Sequence, residues 1–154
     1  MKGDSEVIRV LNIALRTQVT AINQLFLHAR MLKNRGLGGL NDSEYAYSIK
    51  AMKQADALIE RVLFLEGLPN VQDLRKLLVG QDVPEMLRGD LALQTEARAE
   101  LGSGIGVCES AGDYVSRELL EELLEGTEEH IDWLESQLWL IENTGLENYL
   151  QSGV

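Results

Sequence analysis

The segment Asn41–Gly67, NDSEYAYSIKAMKQADALIERVLFLEG, has the pattern of one long helix with two apolar faces. The first face consists of Tyr47, Ala51, Gln54, Ala55, Leu58, Val62 and Leu65. The second face consists of Tyr45, Ile49, Met52, Ile59 and Leu63. At about 100° per residue the two faces point in different directions, so one can fill the core of its own subunit while the other needs a partner. We therefore expect an oligomer.

The residues at the two ends of this helix predict where it begins and stops. A polar side chain is expected to cap its N-terminus, and the candidates are Asn41, Asp42 and Ser43. Glu44 then lies in the first turn, and Gly67 with Pro69 is expected to end the helix. The turn before the helix is expected at Gly36, Gly38 and Gly39.

Three further long helices are predicted along the chain. One runs from about Ser5 to Asn34, one begins near Val83 with Pro84 in its first turn, and one runs from about 113 to 143. Gly145 separates the last of these from a short helix in LENYLQS. The connection over residues 67–82 is long enough to run the length of a bundle. The expected fold is all-α, with residues 1–154 forming a single domain: a four-helix bundle with one long crossover and a short fifth C-terminal helix.

Composition and charge exclude several classes of protein. The net charge of −11 leaves no basic stripe for a nucleic-acid surface. No apolar run approaches the length of about 18 residues that a membrane span needs. The first residues, MKGDSEV, have no signal-peptide pattern, and the single Cys108 is expected to be a small buried apolar residue. These features predict a cytoplasmic protein that contacts neither membrane nor nucleic acid.

A glycine-rich stretch, LGSGIGVCESAGD, covers residues 101–113. Its G-x-G-x-G run does not predict a nucleotide loop, because it follows a helix and lacks the lysine and hydroxyl residue of a P-loop. We interpret it as a weakened end of the third helix followed by a turn. Each glycine should cost a helix up to about 1 kcal/mol, so local flexibility is expected at Gly102–Gly106.

Several segments together resemble one family. They are NDSEYAYSIKAMKQADALIERVLFLEGLPN, VTAINQLFLHARMLKN, DYVSRELL, GTEEHIDWLE and LENYLQ. In this order they resemble the bacterioferritins over essentially the whole chain. The resemblance implies a ferritin-like bundle, a shell of 24 subunits that stores iron as a mineral, and haem b between pairs of subunits. It also implies that the fifth helices meet at a fourfold axis, with Asn148 and Gln151 at the channel.

The di-iron site of ferritin-like proteins needs one Glu from each of two helices and a Glu-x-x-His from each of the other two. By the resemblance, the six positions here are Gln18, Ala51, Gln54, Gln94, Thr127 and His130. All four carboxylates and one of two histidines are therefore missing. The nearby carboxylates are expected to turn away from the core, and they are Asp56, Glu96, Glu128 and Glu129. We expect no catalytic residues, and a neutral hydrogen-bonded cluster in which His130 is a satisfied core histidine.

The haem site, in contrast, matches the family. The resemblance makes Met52 an axial ligand of the haem iron, with a second Met52 supplied across a twofold axis. The pocket positions are filled by Val19, Ile22, Asn23, Phe26, Tyr45, Ile49, Lys53 and Ala55. Lys53 is a candidate partner for a haem propionate, although a solvated lysine is an equally ordinary interpretation.

The chain therefore resembles the haem-carrying subunit of bacterioferritin shells that are built from two subunit types. The hypothesis is a subunit that supports electron transfer for iron release, while a ferroxidase-competent companion oxidises Fe(II). A small ferredoxin is the expected electron donor, and Leu68 and Glu85 lie near the positions where it would dock. Two alternatives remain open, a ferroxidase with a relocated iron site and a purely structural four-helix shell protein. Iron oxidation rates and haem absorption bands distinguish the three.

Overall fold

The structure, a computed structural model, describes all residues from 1 to 154 and contains five helices and no strands. The four long helices are α1 (Ser5–Asn34), α2 (Gly38–Phe64), α3 (Val83–Ala111) and α4 (Tyr114–Thr144). The short α5 is Leu146–Gln151. None of the five is long and apolar enough to cross a bilayer. The predicted four-helix bundle with one long crossover and a short fifth helix is confirmed.

Three of the long helices begin with an aspartate whose carboxylate accepts backbone N–H groups. Asp4 accepts from Glu6 and Val7 at the start of α1, Asp82 accepts from Glu85 in α3, and Asp113 accepts from Ser116 in α4. Each carboxylate satisfies donors that have no partner within the helix, and it favours the positive end of the helix dipole. Pro84 lies in the first turn of α3, as the sequence predicts.

Helix α2 begins earlier and ends earlier than the sequence suggests. Its N-cap is Leu37, which provides no side-chain cap, and the N–H of Asn41 already donates to the carbonyl of Leu37 within the helix. The predicted caps at Asn41, Asp42 and Ser43 are therefore wrong, and so is the placement of Glu44 in the first turn. Of the three upstream glycines only Gly36 forms the turn, with φ of +79°.

The end of α2 differs from the prediction as well. The helix stops at Phe64, and the left-handed residue that follows it is Glu66, with φ of +62°, rather than a glycine. The N–H of Gly67 then donates back to the carbonyl of Val62, which closes the helix end.

The crossover after α2 runs along α1 and is fixed to it by hydrogen bonds at successive points. Asn12 donates to the carbonyl of Leu68, and the hydroxyl of Thr20 accepts the N–H of Arg75. Farther along, Gln24 accepts the N–H of Leu78 and His28 accepts the N–H of Gly80. These four contacts span more than four helical turns of α1, so polar side chains on α1 set the path of the crossover.

The two faces of α2 differ in burial as predicted. Ala51, Ala55, Leu58, Val62 and Leu65 are buried against the other helices of the bundle. On the second face, Tyr45, Met52 and Leu63 remain exposed. The expectation that only one face fills the core is therefore confirmed for the isolated subunit.

Cys108 is fully buried in the main hydrophobic cluster, as the sequence predicts. Burial raises the pKa of its thiol to about 11, with a smaller contribution from Asp113. A thiol in this environment stays protonated near neutral pH and is a poor nucleophile.

Helix α3 ends inside the glycine-rich stretch and a turn follows it, as the sequence predicts. The helix continues without a break to Ala111, and the turn comes at Gly112, whose φ is +71°. A close packing contact explains one of the glycines inside the helix. A β-carbon at Gly104 would lie 3.0 Å from Leu120 Cδ1 and 3.4 Å from Val10 Cβ, so the lack of a side chain lets three helices approach. Gly102 and Gly106 face open space.

Alanine substitutions should therefore have different effects along this stretch. Gly102→Ala and Gly106→Ala should each stabilise the protein by up to about 1 kcal/mol, because alanine favours the helix and meets nothing. Gly104→Ala should gain less, or lose stability, because Leu120 must move. Thermal unfolding midpoints of the three variants test this order, and an equal rise in all three would contradict the packing argument.

Candidate functional site

The six positions that correspond to di-iron ligands do converge in the structure. Gln18 comes from α1, Ala51 and Gln54 from α2, Gln94 from α3, and Thr127 and His130 from α4. All six line one cavity of about 10 Å³, together with Leu25, Tyr47, Lys50 and Gly126. A cavity of this size holds about one water molecule at most. Side chains from all four long helices therefore meet at one cavity, and no carboxylate lines it.

The expected neutral cluster of hydrogen bonds is not formed. His130 is buried and its Nε2 has no hydrogen-bond partner, so the prediction of a satisfied core histidine is wrong. The imidazole instead stacks on the ring of Tyr47, with centroids 3.7 Å apart and planes 13° apart. Trp133 packs against the same two rings at an angle. Aromatic contact holds His130 in place where the sequence suggested amide partners.

A positive charge lies at the edge of this cavity. A β-carbon at Gly126 would come within 3.1 Å of the Lys50 ammonium, which also lies 3.6 Å from a carboxylate oxygen of Glu129. The pKa of His130 is lowered to about 4, mainly by burial; the charge of Asp90 opposes this shift, and the charge of Lys50 adds to it. The imidazole is therefore neutral at pH 7, and Lys50 contributes the only formal charge among the side chains that line the cavity.

The carboxylates near the cavity in sequence are directed elsewhere, as expected. Glu96 pairs with Arg75, and Glu128 pairs with Arg98. Glu129 is exposed and faces Lys50 on the outside, and Asp56 is exposed. None of these carboxylates lines the cavity.

The low pKa of His130 should appear in the pH dependence of stability. The unfolded chain takes up this proton near pH 6.5, but the folded chain does so only near pH 4. Stability should therefore fall as the pH drops through this interval, by up to about 3 kcal/mol from this one group. His130→Phe, which keeps a ring against Tyr47, should remove that part of the loss. Thermal unfolding of both proteins between pH 4 and 7 tests it, and identical pH profiles would contradict the assignment.

A second polar cluster was not predicted from the sequence. His28, Glu44 and Asp90 are fully buried, and their ligand atoms lie within 4.8 Å of one another. Helical spacing does indicate that both acids face the core. Glu44 lies seven residues before the buried Ala51, and Asp90 lies four residues before Gln94, so each shares a helical face with a core position. Because the predicted start of α2 was too late, Glu44 was assigned to the first turn of the helix and its burial was not predicted.

The predicted haem residues lie on the outer face of α1 and α2. Met52 is 50% exposed, and Asn23, Phe26, Tyr45 and Lys53 are exposed as well. Val19, Ile22 and Ile49 are partly buried beside them. Ala55 differs from the rest, because it is almost fully buried and packs in the main core cluster of its own subunit.

One residue of this face was missed in the sequence. The guanidinium of Arg30 lies 5.2 Å from the ring centre of Phe26 and 4.8 Å from that of Tyr45, and the two rings are 6.2 Å apart. A cation over two aromatic rings is fixed more firmly than a solvated side chain. Arg30 follows Phe26 by four residues, which is the spacing that places both on one helical face.

Comparison with known proteins agrees with this architecture. A model of the ferritin-like domain matches residues 8–144. The chain is 44% identical over 151 residues to a bacterioferritin of Brucella melitensis, covering 98% of this chain and 94% of that protein. The chain belongs to the bacterioferritin family. It is also 43% identical over 155 residues to the bacterial ferritin of Pseudomonas aeruginosa, over the full length of both chains. A bacterioferritin of Mycobacterium avium is 42% identical over 149 residues, covering 97% of this chain and 94% of that protein.

Membership of the bacterioferritin family gives the general function. The protein stores iron, and it does so as a subunit of an oligomeric shell. This agrees with the exposed second face of α2, which one subunit cannot bury alone.

Proposed function

We propose that this bacterioferritin is a haem-binding shell subunit that has no working di-iron ferroxidase site of its own. The observation that carries the proposal is the cavity between the four helices. This cavity brings together all six positions that correspond to di-iron ligands. Among these six side chains only His130, which is neutral, is of a type that commonly binds iron.

The charges in the cavity support this conclusion. Two ferrous ions bring four positive charges, and carboxylates are the ligands that balance them in such sites. Here Fe²⁺ would meet amides, a hydroxyl and the ammonium of Lys50 in a space for one water. An uncompensated cation in a buried site is strongly disfavoured, so iron is the cargo of the shell and not the resident of this cavity.

The outer face of α1 and α2 fits a haem between two subunits. Met52 offers an exposed thioether within a patch of aromatic and aliphatic side chains, and a twofold axis would let Met52 of each subunit hold the same haem. When bound, the haem supplies one-electron redox chemistry. Lys53 and Arg30 are the cations available to propionates at the edge of this patch.

In the proposed shell, a companion bacterioferritin subunit with all six ligands oxidises Fe(II). This chain contributes a path for electrons that reduce the ferric mineral and release Fe(II). A small ferredoxin is the proposed donor. Leu68 is 84% exposed on the crossover and Glu85 lies in the first turn of α3, so both are accessible to it. Asn148 and Gln151 are the polar residues of α5 that we propose for the fourfold channel.

Co-assembly tests the two-subunit shell. When this chain is co-expressed with a six-ligand bacterioferritin subunit from the same genome, native mass spectrometry should find both in one particle. Iron uptake per particle should then follow the fraction of the six-ligand subunit. If particles contain only one type of chain, the companion part of the proposal is wrong, whereas the haem part is tested separately through Met52.

A further inference from the structure

The cluster of His28, Glu44 and Asp90 does not line the cavity formed by Gln18, Ala51, Gln54, Gln94, Thr127 and His130, and it has no role in the proposed function. All three side chains are completely buried, and they come from α1, α2 and α3 respectively. Two carboxylates enclosed together are costly unless their charges are compensated, because neither can be solvated. Some positively charged species therefore has to be present beside them.

The hydrogen bonds define the state of His28. The N–H of Gly80 donates to its Nε2 at 3.0 Å, so Nε2 carries no proton and the ring proton is on Nδ1. Nδ1 lies 2.9 Å from Asp90 Oδ1 and donates to it. Gln24 donates to the same oxygen, also at 2.9 Å. Both nitrogens of a neutral imidazole are thus occupied, and His28 supplies no extra charge to the carboxylates.

Three oxygen atoms remain without a partner. They are Glu44 Oε1, Glu44 Oε2 and Asp90 Oδ2, and all three are inaccessible to solvent. A single proton on one carboxyl pairs two of these oxygens, because the protonated oxygen becomes a donor to the other carboxylate, and the third is then the uncharged carbonyl oxygen of the acid. A divalent cation would compensate more charge, but it would have only these two carboxylates as free ligands, since His28 is already used by Gly80 and Asp90.

We propose that Glu44 is a protonated carboxylic acid that donates to Asp90 Oδ2, so that the buried pair holds one proton and one negative charge. The carboxylate of Asp90 then accepts from Gln24, His28 and Glu44. Burial raises the pKa of Glu44 well above its usual value, and the charge of Asp90 raises it further. This agrees with the geometry.

The proton has a structural consequence. Through Asp90 and Gln24 the acid of α2 is linked to the N–H of Leu78, and through His28 it is linked to the N–H of Gly80. The crossover is thereby fixed to the bundle by a network centred on Asp90, which the Glu44 proton joins through Asp90 Oδ2. The other titratable groups that feel this pair are Tyr47 on α2, His130 on α4 and Tyr149 on α5.

Infrared spectroscopy of the assembled protein tests the proposal directly. At neutral pH the spectrum should contain the C=O band of a buried carboxylic acid above the amide I region, and this band should shift on transfer to D₂O. Glu44→Gln should remove it, because the amide keeps the shape and can donate an N–H to Asp90 in place of the proton. Glu60→Gln, at an exposed position of the same helix, should leave the band unchanged. A spectrum with no acid band at neutral pH would overturn the proposal.

Adding metal ions tests whether a proton or a metal cation compensates the charge of the buried carboxylates. Mn²⁺ or Zn²⁺ should leave the acid band in place; loss of the band with release of one proton per subunit would overturn the proposal in favour of a metal site.

The pH dependence of stability is a second test of the Glu44 proton. The folded chain keeps this proton above the pH at which an unfolded Glu loses it, near 4.5, so the unfolding constant should rise about tenfold per pH unit from this group. Glu44→Gln should remove that rise.

Discussion

Met52→Leu should produce a protein that folds and assembles as before but binds no haem. The substitution keeps the size and apolar character of an exposed side chain, so it has little effect on the core. It removes the thioether, and in a twofold pair it would remove both proposed Met52 ligands of the haem at once. Absorption spectra after haem supplementation should lose the low-spin bands, with haem content reduced at least about tenfold. Size-exclusion chromatography should show an unchanged particle.

Met31→Leu is the matched control. Met31 lies on α1, as do Phe26 and other proposed haem residues, but it packs against the cluster that contains Leu32 and Leu40. This variant should retain full haem content. If Met52→Leu keeps the low-spin bands, or if the unaltered protein never acquires them, the haem proposal fails and a structural shell subunit is the better description.

The fold was accessible from the sequence because burial follows helical spacing in this chain. The two faces of α2 could be separated by counting residues, and their burial in the structure agrees with the count. The position of the crossover followed from the lack of helical pattern between Gly67 and Asp82. The convergence of six scattered positions on one cavity came from the family resemblance, since spacing alone does not tell which helices face one another.

The errors have local physical causes. Helix α2 starts at Gly38 without a side-chain cap, so a rule based on capping residues placed the start too late. The end of α3 was predicted correctly, but spacing did not show that Gly104 lets this helix pack closely against α4 and α1. His130 is held by stacking on Tyr47, a contact between helices that is not visible in either sequence segment.

Restoring the missing ligands should convert this subunit into a ferroxidase. The five substitutions are Gln18→Glu, Ala51→Glu, Gln54→His, Gln94→Glu and Thr127→Glu. They supply the four carboxylates and the second histidine on a frame that already brings the six positions together. Stopped-flow absorbance should show a fast phase of Fe(II) oxidation that saturates near two irons per subunit. The unaltered protein should show only slow oxidation that does not saturate.

The matched control is a variant with side chains of nearly the same volume at these positions but without the four carboxylate charges. Ala51→Gln, Gln54→His and Thr127→Gln, with Gln18 and Gln94 left in place, fill the cavity with amides of nearly the same volume as the carboxylates. This control should remain slow, which would assign the gain to carboxylate ligation and not to repacking. A fast saturable phase in the unaltered protein would instead show that ligands elsewhere form a site, and the proposed function would be wrong.

Lys50 should limit the activity of the restored site. Its ammonium borders the same cavity and would lie beside the incoming iron, where each like charge weakens cation binding. Adding Lys50→Gln to the five substitutions should therefore lower the Fe(II) concentration needed for half-maximal fast oxidation, by about tenfold if the removed repulsion is near 1.4 kcal/mol. Lys50→Gln alone, in the chain without carboxylates, should produce no fast phase. An increase in the single variant would mean that repulsion by Lys50, rather than the missing ligands, keeps iron out of this cavity.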